Sequence, residues 1–558
     1  MSLIFESLLT AFFFLLLIAI VTLIGAAIVI GKKASKDRLK GSEKRVLVAF
    51  DKLAEDGQVL DFQTDKAFFF QDLIDLIKIM TEDPKIEEVI LDIDRMSLSA
   101  SQVEDLRPLF KELRAKKQVT AIASFLDRSS YQAALLASKV YLYDSQNSRL
   151  LLRGYCYQDI YKKGLLNKLG INLQAIHIGD YKVAGEAYAK CQMSDARRKS
   201  LEKMGKSELK NFTKLVLDER NVDIKKQILE GDLLFINPQE AENQGLIDGT
   251  RSDQDLKLND KEETVDLDKY RKAKQKELAG SKLKSKSDYN IGLLYLEGKI
   301  SPSSGDSPTI SAKNVQNKLD QLAKYKNIKA LVLRINSPGG SALESEKIYR
   351  LLKATKLPIY VSMGEYCASG GYYIASTGKK LLANLNTLTG SIGVVSLYPE
   401  FDQALKKLDL KHELVAQGAG VDLFNPLLPL SDPSRLLIIK NMEEVYREFK
   451  GRVMEARRMT DAELEPLAGG RVYSGKKAKE IKLIDDLASL GQTIELAASE
   501  EKLGQAKVAV LREKLSLSEY AKGLKKKYRL ASLAGLEAEL NHITDDLAKP
   551  QYLETIQK

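Results

Sequence analysis

The sequence predicts an α/β protein in which two tandem copies of one largely parallel-stranded domain follow a single N-terminal transmembrane helix. Three observations carry that prediction. The same order of segments recurs in both halves of the chain, each half alternates apolar strands with amphipathic helices, and an uncharged apolar run opens the sequence. A length of 558 residues also exceeds what one hydrophobic core supports, so two domains of ordinary size plus connectors are expected.

In chain order, Leu8–Ile30 comes first, an uncharged Leu/Ile/Phe-rich run of 23 residues. At about 1.5 Å per residue such a helix spans the roughly 30 Å apolar core of a bilayer. The apolar stretch of a cleaved signal peptide is shorter, about 7–15 residues, so the run is expected to remain as an anchor. Lys32, Lys33, Lys36, Arg38 and Lys40 follow it, whereas only Glu6 and the amino terminus precede it. The positive-inside rule then places the large domains in the cytoplasm.

After this anchor and basic flank (1–45), a first α/β domain is expected over 46–250 and a second over 289–500. The two repeat each other. KIEEVILDIDRMSLSA (Lys85–Ala100) lines up with NIKALVLRINSPGGSA (Asn327–Ala342), each a polar lead, a buried-type strand and a turn ending in Ser-Ala. VTAIASFLDRSSYQAALLASKVYLYDS (Val119–Ser145) matches PIYVSMGEYCASGGYYIASTGKKLLANL (Pro358–Leu385). Leu165–Lys182 then parallels Ala404–Gly420, and Ile236–Gly249 parallels Tyr473–Asp486. Between the halves, 251–288 is rich in Lys, Glu and Asp and nearly free of aromatic residues, which reads as an exposed helical or flexible connector. The tail 501–558 is again charged and reads as helical, with the cluster Leu524–Tyr528 on a solvated face.

The net charge of +10 is spread through Lys/Glu-rich helices, and no RNP-like, zinc-finger or P-loop pattern is present, so no nucleic-acid partner is expected. Cys156, Cys191 and Cys367 include no CxxC spacing, which argues against a disulfide framework or a zinc site.

The halves differ where chemistry would sit. In the second, the strand Leu331–Ile335 runs into SPGG; about twenty-five residues on comes GEYCASGG (Gly364–Gly371), and then LTGSIGVV (Leu388–Val395). A glycine-rich turn after a buried strand can aim backbone N–H groups at a developing oxyanion, and a serine among small residues is open to an extended peptide. Ser369 is thus the candidate nucleophile of a serine peptidase. The first half has DRMS in place of SPGG, and Ser129 and Ser130 in DRSSYQ in place of CASGG. It offers instead GDYKVA, with Lys182 just past the apolar strand LQAIHI, where the second half has GAGVDL. A serine nucleophile needs a base; His177, His412 and His542 share no triad motif with Ser369, and CASGG is not a GxSxG elbow. A lysine desolvated among apolar walls can serve as that base, and Lys182 is the candidate.

The order INSPGGS, CASGGYYIAS, TLTGSIGVV, with GDYK in a degenerate first half, closely resembles the signal peptide peptidase A (protease IV) family, from about Val46 to Ala498. The resemblance implies tandem Clp-protease/crotonase-like domains, Ser369 as nucleophile, Lys182 as general base and Ser391 as the hydroxyl that orients the lysine. It implies oxyanion donors at the Gly340 and Gly370 amides and a reaction without metal or nucleotide cofactor. It further implies signal-peptide remnants and other unfolded apolar peptides as substrates, a place at the lipid bilayer of the cell (inner) membrane with extracytoplasmic domains, and a ring-like homo-oligomer, expected as a tetramer. Glu365, Tyr366 and Cys367 depart from the smaller residues often found before the serine and are expected to narrow the pocket; Cys367 is a competing nucleophile. A catalytically silent scaffold on the same fold and a crotonase-like acyl-CoA enzyme are the other readings these residues admit.

Overall fold

A computed structural model describes residues 39, 41–50, 53–55, 68–258, 260, 262–281, 286–302 and 309–512. The first half forms a sheet whose strands lie in the order Thr250–Arg251, Lys139–Tyr143, Gln118–Ala123, Glu88–Met96, Arg45–Phe50 and Thr264–Asp266, all pairs parallel. The second half repeats the plan with Leu388–Gly390, Ile359–Ala368, Ala330–Ser337, Ile291–Glu297 and Val508–Leu511, again in parallel, and Val472–Ser474 closes that edge antiparallel. Lys380–Ala383 pairs beside the first part of 359–368 and carries Asp486–Leu487 on its far side.

The duplication seen in the strands extends to the helices and their caps. Ala100–Lys116 and Ala342–Ala354 start on Ser99 and Ser341, whose hydroxyls accept an amide of the first turn. Further on, two helices of 26 residues, Asp195–Arg220 and Asp432–Arg457, are capped in the same way by Ser194 and Ser431 and stopped by left-handed residues, Asn221 and Arg458. The matched segments near 236–249 and 473–486 become the capped helices Pro238–Asn243 and Gly475–Glu480.

The central strands of the second sheet are covered on both faces, which is why they read as nearly continuous apolar runs. Leu294, Leu296, Leu331, Leu333, Ile335, Val361 and Met363 pack into their own half. Their alternates Ile291, Leu293, Tyr295, Ala330, Val332 and Tyr360 belong to the core of the first half, together with Leu490 and Ala497. The halves therefore share a core. Polar contacts ride on the same junction: Tyr295 donates to Gln71 Oε1 at 3.0 Å, and the Asn384 amide donates to Ser101 Oγ at 2.8 Å.

Two segments expected to lie outside the domains are built into them. In 251–288, Thr264–Asp266 adds the edge strand beside Arg45–Phe50, and the helix Leu267–Ser281 buries Leu267 and Tyr270, whose hydroxyl donates to Asp83 at 2.8 Å. A few apolar anchors in a charged background hold that segment, and composition averaged over the stretch hides them. Past residue 500, Val508–Leu511 pairs with Ile291–Leu294.

The repeat is not complete. Asn172–Ile178 is a strand, paired antiparallel with Val394–Glu400 of the second half over seven residue pairs, and the Asn172 and Gln174 side chains donate to Glu400. Among the described residues its sequence counterpart 411–417 has no strand beside it, and it stays irregular and exposed. A strand needs a partner for its backbone groups, and among the described residues the first copy has one and the second does not. The run Leu8–Ile30 and the cluster Leu524–Tyr528 lie outside the described residues; among those described, no helix is long and apolar enough to cross a membrane.

Candidate active site

Strand Ile359–Ala368 delivers Ser369 at the mouth of the short helix Gly370–Ala375. Ser369 has φ 53° and ψ −122°, a conformation that L residues rarely adopt and that surrounding contacts must hold. Its amide donates to Gly390 O at 2.9 Å, and Thr389 Oγ1 donates to Cys367 O at 2.7 Å, so the strand of the third motif fixes the turn of the second.

Lys182 arrives from the other half. The pairing of Asn172–Ile178 with Val394–Glu400 carries the GDYK turn across the junction, where Tyr181 N donates to Gly469 O at 2.9 Å. The Lys182 amine then lies 2.9 Å from Ser369 Oγ, 2.9 Å from Ser391 Oγ and 2.9 Å from Ser391 O, all within one chain. The residue is 5% exposed. Burial pushes its ammonium down to about 7 from the ordinary lysine value, and no carboxylate among the described residues opposes it. A neutral amine has two N–H groups and one lone pair: the former match the Ser391 carbonyl and hydroxyl, leaving the lone pair for the Ser369 proton. Ser391 is itself held at φ 54°, its amide donating to Arg471 O at 2.7 Å.

The SPGG loop faces this pair. Ile300 N donates to Gly339 O and Ser341 N donates to Ile300 O, a bridge that uses the neighbours of the Gly340 amide and leaves that amide turned away from Ile300. Gly340 N sits 3.4 Å from where a Cβ on Gly370 would lie, and a Cβ on Gly339 would come within 2.7 Å of Ser369 Cβ. Among the described residues neither the Gly340 nor the Gly370 amide has a hydrogen-bond acceptor. One of these amides follows Ser369 directly and the other lies on the loop packed against it, and an oxyanion calls for donors of this kind. In the first half the matching place is structural: Asp127 caps the helix Arg128–Ala134 and binds both the amide and the hydroxyl of Ser130.

Cys367 is fully buried and its thiol is pushed up by desolvation, so it belongs to the core and not to the reacting surface. Tyr366, buried with Leu201, Met204 and Leu388, packs the two halves together beside the site. Burial raises the Glu365 carboxyl to about 7.

The sequence reading missed Gly469 and Gly470. A Cβ on Gly470 would lie 2.3 Å from Lys182 N, and one on Gly179 would lie 2.5 Å from the Gly469 backbone. Both close approaches need bare backbone, and the Arg471 guanidinium next door stacks 3.6 Å from the Tyr181 ring centre. The Gly-Gly pair just ahead of strand Val472–Ser474 was the available signal. Gly470→Ala is expected to displace the lysine and lower kcat by roughly 10–100-fold with KM nearly unchanged. Steady-state kinetics on folded protein checks this; an unaltered kcat would show that the contact does not position Lys182.

Comparison with known proteins gives the following. The family model described as "Peptidase family S49" matches residues 111–267 and 351–504, and that described as "Clp protease" matches residues 287–386. "Protease 4" of Haemophilus influenzae is 28% identical over 459 residues, 76% of this chain and 72% of its own length. "Serine protease SPPA, chloroplastic" of Arabidopsis thaliana is 28% identical over 490 residues, 83% of this chain and 70% of its own. "Putative signal peptide peptidase SppA" of Enterococcus faecium is 33% identical over 230 residues, 40% of this chain and 67% of its own.

Proposed function

Because the chain belongs to peptidase family S49 and is a serine protease, we propose that it is a membrane-anchored endopeptidase that uses a Ser369/Lys182 dyad to degrade cleaved signal peptides and other apolar peptides. The observation that carries the dyad is the 2.9 Å approach of the buried Lys182 amine to Ser369 Oγ. Neutral Lys182 takes the Ser369 proton as Oγ attacks the scissile carbonyl, and the Gly340 and Gly370 amides donate to the resulting oxyanion. Lys182 passes the proton to the leaving amine, and the acyl ester remains on Ser369. Water, deprotonated by the same amine, attacks the ester and releases the acid, restoring the Ser369 hydroxyl. Ser391 holds the amine through its carbonyl and hydroxyl during both steps.

The lysine is the active base only when neutral, so its lowered value sets the sign of the pH dependence. kcat/KM is expected to rise with pH, reach half its maximum near pH 7 and level off above. A limb near the ordinary lysine value would remove Lys182 from the base role. The substrate class is tested with a synthetic signal-peptide sequence and a hydrophilic peptide of equal length: preferential cleavage of the apolar peptide, with folded proteins left intact, is expected. Equal cleavage of both would contradict the class.

The anchor over Leu8–Ile30 and an extracytoplasmic orientation complete the proposal; protease protection in sealed spheroplasts decides between the two faces. A tetrameric ring is proposed as the working form. Its support is the half-used duplication: 172–178 pairs with 394–400, while among the described residues the counterparts 411–417 and 155–161 are without a strand partner, and Val415 is 97% and Ile160 71% exposed. Pairing 411–417 of one copy with 155–161 of the next would repeat the internal junction head to tail, the kind of contact that builds a ring when its rotation closes. Val415→Pro is expected to convert the oligomer to a monomer in light scattering; an unchanged mass would place the interface elsewhere.

A further inference from the structure

We propose that Arg334 is a positioning residue that locks the two halves in the register bringing Lys182 to Ser369. Lys182 comes from the first half, while Ser369, Ser391 and the oxyanion loop come from the second, so the dyad distance depends on how the halves sit on each other. Arg334 is fully buried on the face of its strand that looks toward the first half. Its guanidinium donates to both oxygens of Glu55, at 2.8 and 3.0 Å, and to Asp105 Oδ2 at 2.5 Å, both residues of the first half. Its remaining nitrogen donates to Ser362 Oγ at 3.1 Å and Met363 O at 3.3 Å.

Those last two contacts lie on Ile359–Ala368, the strand that leads into Ser369, and the strand of Arg334, Ala330–Ser337, runs directly into Pro338, Gly339 and Gly340. One planar group therefore touches the nucleophile's strand and the first half while standing on the oxyanion strand. Asp105 extends the lock, its second oxygen accepting from Leu490 N at 2.8 Å. A guanidinium is suited to this because its donors leave a rigid plane in fixed directions, which a lysine does not reproduce. A fully buried group that must be paired on every side costs stability to assemble, and an apolar residue would pack the same space. The geometry it fixes is what a hydrophobic replacement would not supply.

The proposal rests on the Ser369/Lys182 reading, and the test separates the two. The triple variant R334M/E55Q/D105N removes all three charges together, so no unpaired ion is left in the core; it is compared with wild type, Arg334→Lys and Lys182→Ala. Folding is followed by circular dichroism and thermal unfolding, and activity by kcat, KM and the pH dependence of kcat/KM. The expected result is a folded triple variant with kcat down about tenfold or more, KM within about twofold, and the limb near pH 7 shifted upward as the lysine pocket loosens. Glu55→Gln, which keeps the Arg334–Asp105 pair, is expected to show the same signature in smaller measure, and Arg334→Lys to recover little. Wild-type kcat and pH limb in the folded triple variant, or in Glu55→Gln should the triple variant not fold, overturn the positioning role. Activity in Lys182→Ala overturns the dyad instead, and leaves a different readout from failure of the lock alone.

Discussion

Lys182→Ala is expected to lower kcat on an apolar peptide by roughly 10⁴–10⁶-fold, with KM changed only a few-fold, and Ser369→Ala to do the same. The two groups act as one unit: without the amine the serine proton has no acceptor, since within the described site the Lys182 amine is the group 2.9 Å from Ser369 Oγ that can take it. The double variant should therefore be no worse than either single one. Additive losses would mean the groups act separately. Lys182→Arg is expected to fail equally, because a guanidinium keeps its proton where burial brings the lysine down to about 7.

The second large effect belongs to Gly340. A methyl group there would lie 2.1 Å from Ile300 O, and the residue holds φ 152°, a region L side chains rarely adopt. Gly340→Ala must shift the loop away from Ile300 and turn its amide off the oxyanion position. The expected loss is roughly 10²–10³ in kcat, the size of a removed oxyanion donor. Lys182 is untouched by the change, so the pH limb near 7 should persist in the residual activity. A kcat within a few-fold of wild type would show that the Gly340 amide does not meet the developing charge.

The duplicated α/β fold was legible in the sequence because its signals are local. Buried parallel strands write themselves as apolar runs such as Ala330–Leu333, and glycines such as Gly339 and Gly340 mark backbone that must approach something closely. The pairing of Ser369 with Lys182 was legible only through the comparison of the two halves and the family resemblance, since 187 residues separate them and any lysine looks alike in sequence. Gly469, Gly470 and Arg334 were missed for a shared physical reason: each matters through a contact with the other half, and no periodicity within one segment records such a partner. The charged stretch 251–288 misled because solvated residues outnumber Leu267 and Tyr270, which do the anchoring. The irregular 411–417 went the opposite way, its sequence matching a strand for which the described residues offer no partner.

The most direct measurement is covalent labelling of the solubilised protein with a fluorophosphonate, followed by peptide mapping, in wild type and in Lys182→Ala shown to be folded. Label confined to Ser369 in wild type, rising with pH through about 7 and lost in Lys182→Ala, is the predicted result. Label on another residue, or labelling of Ser369 that proceeds equally well without Lys182, would contradict a nucleophile activated by the lysine of the other half.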